Sequence, residues 1–272
     1  AWGFASTDDM TVAGVDRAAG QAVAVARASA LCKKQDAVLA PEEKIVDRWV
    51  AACRIDPFTV PVSACLDLML KVDAELRAVQ GVTLAEAAMD FRRIEQLFVS
   101  SIGTEIYQLK TQTGAGYVAT TFHNNEIQRR SYPNSFGGQH QTKGYELVEE
   151  LNLLGNARRI AEEAVALHKA DQCPSGVRDI ILGSSQLGLQ IHESIGHPIE
   201  LDRVLGTEAN FAGMSFLTLE KLNKLKYGSE IVNAVADATV AHGPGLGTFA
   251  YDDEGVPAQC SPIIKDGLFV GY

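Results

Sequence analysis

A chain of 272 residues with 46% apolar content and 9 prolines can bury one large core or two smaller ones, and is expected to be a soluble globular protein. Its formal net charge is −10 and it has no run of five lysines or arginines, which argues against nucleic acid and anionic membrane surfaces as partners. The longest alanine- and valine-rich stretch, Ala18 to Leu31, is interrupted by Gln21 and Arg27, short of the roughly 18 uncharged apolar residues of a membrane span, and no signal-peptide pattern is present.

The first predicted element is a long surface helix from Thr7 to Lys34, capped by Ser6 or Thr7, with the aspartates of "STDD" in its first turn. A less regular connector containing Trp49 and "IDPF" leads to a second helix over Val62–Val79. Ser63 is its expected cap, and Leu66, Leu70, Val72 and Leu76 form its apolar stripe. "TLAEAAMDFRRIEQLF" has helical propensity. The residues after it alternate like strands, with hairpins turning at Ile102-Gly103 and at Asn124-Asn125, so the region Val82–Tyr132 reads as an antiparallel meander. A helical region from Tyr145 to Ala170 closes this half, with a break expected at Gly155.

"CPSG" at Cys173–Gly176 is the clearest division, and "VRDIILGSS" after it reads as a short buried strand ending in a turn. Cys32, Cys53, Cys65, Cys173 and Cys260 are odd in number and widely spread without a CxxC pair. They predict reduced thiols, each a small buried hydrophobe, in a cytoplasmic chain. The start at Ala1 without methionine and the apolar end "GLFVGY" suggest a piece of something longer.

The chemistry concentrates in "QIHESIGHPIELD", Gln190–Asp202. A catalytic zinc needs ligands on one side, an open position and a base nearby. Histidines four apart share a helix face, but His192 and His197 are five apart, about 140° around an ideal helix. A π-type turn, eased by Gly196, would bring them back to one side, so the motif predicts a local irregularity. The alternative is a satisfied core His192, a helix-capping His197 and a solvated Glu193. His123, His140, His168 and His242 read as structural or solvent-exposed, and "DDEG" at Asp252–Gly255 reads as a turn between strands.

"HESIGHPIELD" resembles the HExxxHxxExD signature of the TldD/PmbA family of metalloproteases. "AWGFAST" is similar to that family's "GWGFAST", "IDPF" with its following "VP" to its inter-helix linker, and "AHGPGLGTFAYDDEGVPAQ" to its glycine-rich "GSLGTYGFDDEGTPAQ", all in the family's order. Pro198 stands where the family usually has glycine.

The resemblance implies an α+β fold. An antiparallel β-meander with long flanking helices would occupy residues 1–173, incomplete at its N-terminus. The start of a mixed α/β metalloprotease domain, carrying the HExxxH helix and truncated, would occupy 174–272. It implies a TldD-type zinc peptidase acting on unfolded or small peptides, with His192 and His197 as Zn2+ ligands and Glu193 as the base. Glu200 and Asp202 would support the histidines, by accepting a ring N–H, or else be solvated acids on a turn. The remaining protein ligand of the family is a distal cysteine that this chain lacks; Cys260, after "PAQ", does not occupy its place. This chain alone is therefore expected to be inactive. A homodimer, or a heterodimer with a TldE/PmbA-like subunit, is the expected assembly. A non-catalytic partner subunit of such a heterodimer is the competing reading.

Overall fold

The computed structural model describes residues 1–34, 36, 38–239 and 244–272. It consists of two compact units, Ala1–Lys44 and Ile45–Tyr272.

The first unit holds helix α1, Val12–Ala30. Thr11, not Ser6 or Thr7, caps it, its hydroxyl accepting the Gly14 N–H at 3.1 Å. The cap moves inward because the Asp9 carboxylate accepts from both the Thr11 N–H and its hydroxyl, folding the aspartates into a turn before the helix rather than into its first turn.

In the second unit a five-stranded sheet forms around β3, Glu105–His123. β2, Val82–Val99, pairs antiparallel with it along nearly the whole length. On the other side of β3 lie β1 (Val46–Val50), β4 (Glu126–Tyr132) and β5 (Gln139–Gln141), and β1 is parallel to it. The hairpins turn where expected, with Gly103 at φ +89°, and Asn124 and Asn125 at φ +49° and +63°. β2 is a strand despite its helix-forming residues because its ladder with β3 and alternating burial outweigh local propensity. Trp49, assigned to an irregular connector from sequence, sits on β1.

The burial parity of β2 changes along its length. Ala85, Ala87, Met89 and Phe91 face the helix layer, whereas Ile94, Gln96 and Phe98 are turned to the opposite face. On the first face α2, Val62–Arg77, and α4, Leu153–Ala166, bury Val72, Leu76, Ala157, Ile160, Ala161 and Ala164 against Ala115, Tyr117 and Ala119. α2 follows Pro61 without a side-chain cap, so Ser63 does not cap it. Its buried row runs through Leu68, Val72 and Leu76, while Leu66 and Leu70 are exposed. Leu66 instead lines an apolar groove of about 580 Å³ with Phe58, Met69, Met89 and Phe91.

On the opposite face, the buried amide of Gln108 acts like a strand backbone. Its Oε1 accepts the N–H groups of Ala250 and Tyr251 at 3.1 and 2.9 Å, and its Nε2 donates to the Tyr251 carbonyl at 2.8 Å. "DDEG" is a turn, flanked by an isolated Tyr251–Pro257 bridge, with Gly255 at φ +81°.

The helical region breaks at Asn152, φ +45°, between α3 (Glu146–Leu151) and α4, rather than at Gly155. Asparagine tolerates the left-handed conformation, whereas Gly155 lies within α4. None of the five cysteines is fully buried: Cys32, Cys173 and Cys260 are exposed, and Cys53 and Cys65 are partly so. The buried-hydrophobe expectation fails because they lie on helix ends, connectors and strand positions outside the two cores.

A second core joins Ile195, Leu217, Ile263, Ile264 and Phe269 beneath a three-stranded sheet, β6 (Ala234–Asp237), β7 (Cys260–Lys265) and β8 (Leu268–Phe269). "VRDIIL" makes no strand and leaves Val177, Ile180 and Ile181 exposed. An apolar run becomes a strand only where a neighbour supplies its hydrogen bonds, and no described strand pairs with it.

Glu146 fastens the linker to α3. It is buried, and its carboxylate accepts the backbone N–H groups of Arg54, Ile55 and Gly144 at 3.0, 2.9 and 3.1 Å. Gly144 is needed at this close approach, since a Cβ there would lie 2.3 Å from the Ile55 carbonyl. Burial alone would raise the Glu146 carboxyl, but the backbone N–H donors around it, led by those of Arg54 and Ile55, outweigh it and hold it below the usual glutamate range. A depressed folded value contributes stability above the unfolded value, about 4.3, that is lost as pH falls through the folded one. Glu146→Gln is therefore expected to cost about 1–3 kcal/mol at neutral pH and to flatten the loss of stability below about pH 4, measured by urea unfolding across pH.

Candidate metal centre

Helix α5, Ser184–Ile191, runs into a π turn at His192–Gly196, then a 3₁₀ turn at His197–Ile199, then α6, Leu201–Leu205. The His197 N–H donates to the His192 carbonyl, the i to i+5 bond that the five-residue spacing requires. The imidazoles consequently meet on one side, with ring centroids 4.3 Å apart and planes 73° apart. Gly196 is not the sterically necessary part: it sits at φ −55°, ψ −60°, and the nearest atom to an added Cβ would be the Ile191 carbonyl oxygen at 3.9 Å.

Ligand atoms of His192, Glu193 and His197 lie within 4.8 Å of one another. The His192 side chain is 58% exposed and that of Glu193 61%, so the core-histidine alternative for His192 does not hold. Glu193 Oε1 stands 3.9 Å from His192 Nε2. His197 is more sheltered, and its Nδ1 is 2.7 Å from Glu200 Oε1. The His197 ring and then the Arg203 guanidinium hold Glu200 below the usual carboxylate range. An ionised carboxylate only accepts, so Nδ1 donates in this contact and Nε2 is the ring nitrogen left for a ligand. The arrangement fits a small divalent cation: two imidazoles and a carboxylate converge at the surface, with one ring already oriented from behind.

Asp202 lies apart from the rings, its carboxylate accepting the Thr207 hydroxyl at 3.0 Å. Cys260 is exposed on β7 and is not part of the cluster. Of the other histidines, His140 meets Asp90 at 2.8 Å, and His168 meets the Thr121 hydroxyl at 2.8 Å beside His123. His242 lies outside the described residues.

The supports of the turn carry no signal in the sequence. The Tyr227 hydroxyl donates to the Ser194 carbonyl at 2.5 Å and the Ser215 hydroxyl to the Pro198 carbonyl at 2.6 Å. They come from 33 and 17 residues away, and no spacing rule connects them to the motif. Ile195 anchors the same turn in the second core.

Two family models match the chain: the PmbA/TldA metallopeptidase central domain over residues 55–169 and the PmbA/TldA metallopeptidase C-terminal domain over 175–272. The chain belongs to the PmbA/TldD metallopeptidase family. Within it, a metalloprotease of Methanocaldococcus jannaschii is 25% identical over 100% of this chain and 56% of its own. A metalloprotease of Methanothermobacter thermautotrophicus is 29% identical over 98% and 54%, and a TldD homologue of Haemophilus influenzae 25% over 99% and 54%. The chain thus spans about half the length of the curated relatives it matches. Its fold is similar to that of a candidate modulator of DNA gyrase from Thermotoga maritima, with TM-score 0.64 and 18% identity over 94% of this chain and 54% of that one. It is also similar to TldE from Thermococcus kodakarensis, with TM-score 0.60 and 16% identity over 99% and 56%. These neighbours share the mixed α/β fold of the PmbA/TldD chain. Among the described residues no helix is long and apolar enough to cross a membrane.

Because the Gly196 conformation is open to any residue and an added methyl meets only the Ile191 carbonyl oxygen at an ordinary contact distance, Gly196→Ala is expected to leave the π turn in place. It should raise stability by about 0.4–1 kcal/mol in urea unfolding, by restricting the unfolded chain. Destabilisation instead would show that the turn needs glycine.

Proposed function

We propose that this chain carries the His192–Glu193–His197 centre of a zinc-dependent peptidase that hydrolyses bonds in unfolded or small peptides. The convergence of the three side chains within 4.8 Å on a π turn supports the reading most directly. His192 and His197 are the zinc ligands, and Glu200 keeps His197 in the tautomer that exposes Nε2. A zinc ion held there supplies Lewis acidity toward the scissile carbonyl. Glu193 is positioned to take a proton from the attacking water on its carboxylate and to return it to the departing amine. Asp202 supports the histidines through the turn at Thr207 rather than by touching a ring. A third protein ligand, a cysteine by resemblance, would come from outside these 272 residues.

The proposed organisation is a TldD/PmbA-like α+β domain over residues 1–173 followed by a metalloprotease domain from 174, a reading supported by separate matches over 55–169 and 175–272. The proposed assembly is a dimer, with an identical subunit or with a TldE/PmbA-like one, in the cytoplasm. Likeness to TldE supports the kind of fold such a partner would have. A non-catalytic role is not favoured, since it would need none of the three converging side chains.

The roles separate by mutation in the complete protein. His192→Ala and His197→Ala should each lose zinc and hydrolysis together. Glu193→Gln should keep zinc while hydrolysis falls by about 100-fold or more. Metal content and peptide cleavage measured on the same preparations decide it. Loss of zinc in Glu193→Gln as complete as in His192→Ala would make Glu193 a ligand or a prop instead of a base.

A further inference from the structure

The π turn has an acceptor that its own chain cannot serve in α-helical fashion. The N–H that a regular helix would offer the Ser194 carbonyl belongs to residue 198, which is a proline and has none. The Tyr227 hydroxyl supplies a donor to that carbonyl at 2.5 Å. The tyrosine is itself fixed: it packs on the second core, and its ring stacks on Phe216 with centroids 6.4 Å apart. Ser194 lies between the two histidines in sequence, so whatever holds its carbonyl holds the stretch of backbone that sets their relative direction.

We propose that Tyr227 is a positioning residue for His192 and His197, its hydroxyl standing in for the N–H that Pro198 lacks and keeping the π turn in the register that puts both imidazoles on one side. Regular α-helical bonding would carry the rings about 140° apart. A turn that frays at Ser194 would therefore present two histidines but no paired donor set. The functional meaning of this role rests on the zinc reading above, whereas its structural consequence does not.

Tyr227→Phe keeps the ring and its stacking and removes only the hydroxyl. In the metal-free chain the amide of His197 should then exchange about 10-fold faster, while the amides of Ile263 and Ile264 in the same core are unchanged. Isothermal titration of the complete protein with Zn2+ should show affinity weakened by about 10-fold. Pro198→Ala restores an N–H at position 198, and in that background Tyr227→Phe should change either quantity by less than about 3-fold. A tyrosine that matters only as packing would give equal effects in both backgrounds, and that result would overturn the proposal. So would unchanged His197 exchange in Tyr227→Phe, or faster exchange with unaltered affinity in a chain that does bind Zn2+. If the exchange pattern holds but neither form of the complete protein binds Zn2+, the positioning role stands and the zinc reading fails.

Discussion

The hydrogen bond from the His197 N–H to the His192 carbonyl is the constraint on which the candidate site depends. One residue of extra winding converts a spacing unsuitable for a helix face into two rings with centroids 4.3 Å apart. Such a turn is rare because it gives up regular α-helical bonding, so its surroundings must hold it. They do so from two directions: Ile195 is buried in the second core, and the Tyr227 and Ser215 hydroxyls occupy the carbonyls of Ser194, left without an α-helical donor by Pro198, and of Pro198 itself. Glu200 then acts on a ring already in place, which is why its bond to Nδ1 can fix a tautomer rather than a position.

The rest of the second unit connects to this site through its packing order. The β2–β3 hairpin uses one face for the helix layer and, beyond the parity change near Arg92, the other face for the stretch around Tyr251. Gln108 does there what a neighbouring strand would do, donating and accepting through a side-chain amide in a buried setting. That stretch leads through Val256–Gln259 into β7, whose Ile263 and Ile264 form the core beneath Ile195. The chain thus runs from the stretch held by Gln108 into the core that anchors the candidate metal centre.

Much of this fold is legible in the sequence, for physical reasons that differ by element. The Asn124-Asn125 and Gly103 turns are readable because few residues accept positive φ, and the π turn because five-residue spacing admits few other ways to bring two histidines together. β2 is ambiguous because its alanines and glutamates favour helix locally, and only pairing with β3 decides the matter. The cap of α1 is misplaced by sequence because Asp9 competes for the same donors, and the stripe of α2 because Leu66 borders a groove and Leu70 is exposed, neither reaching the core. "VRDIIL" has the composition of a buried strand but no described partner, and strand formation is never a property of one segment alone. Tyr227 and Gln108 are invisible because each acts across a long sequence separation on a backbone group, which leaves no local pattern.

If the π turn makes His192 and His197 a paired donor set for one cation, X-ray absorption at the zinc edge of the zinc-loaded chain should register both rings. Two nitrogen neighbours at about 2.0–2.1 Å are expected, with the outer-shell scattering of imidazole, reduced to one ring in His197→Ala. A coordination shell of oxygens without imidazole scattering, or one unaltered by His197→Ala, would contradict the pairing.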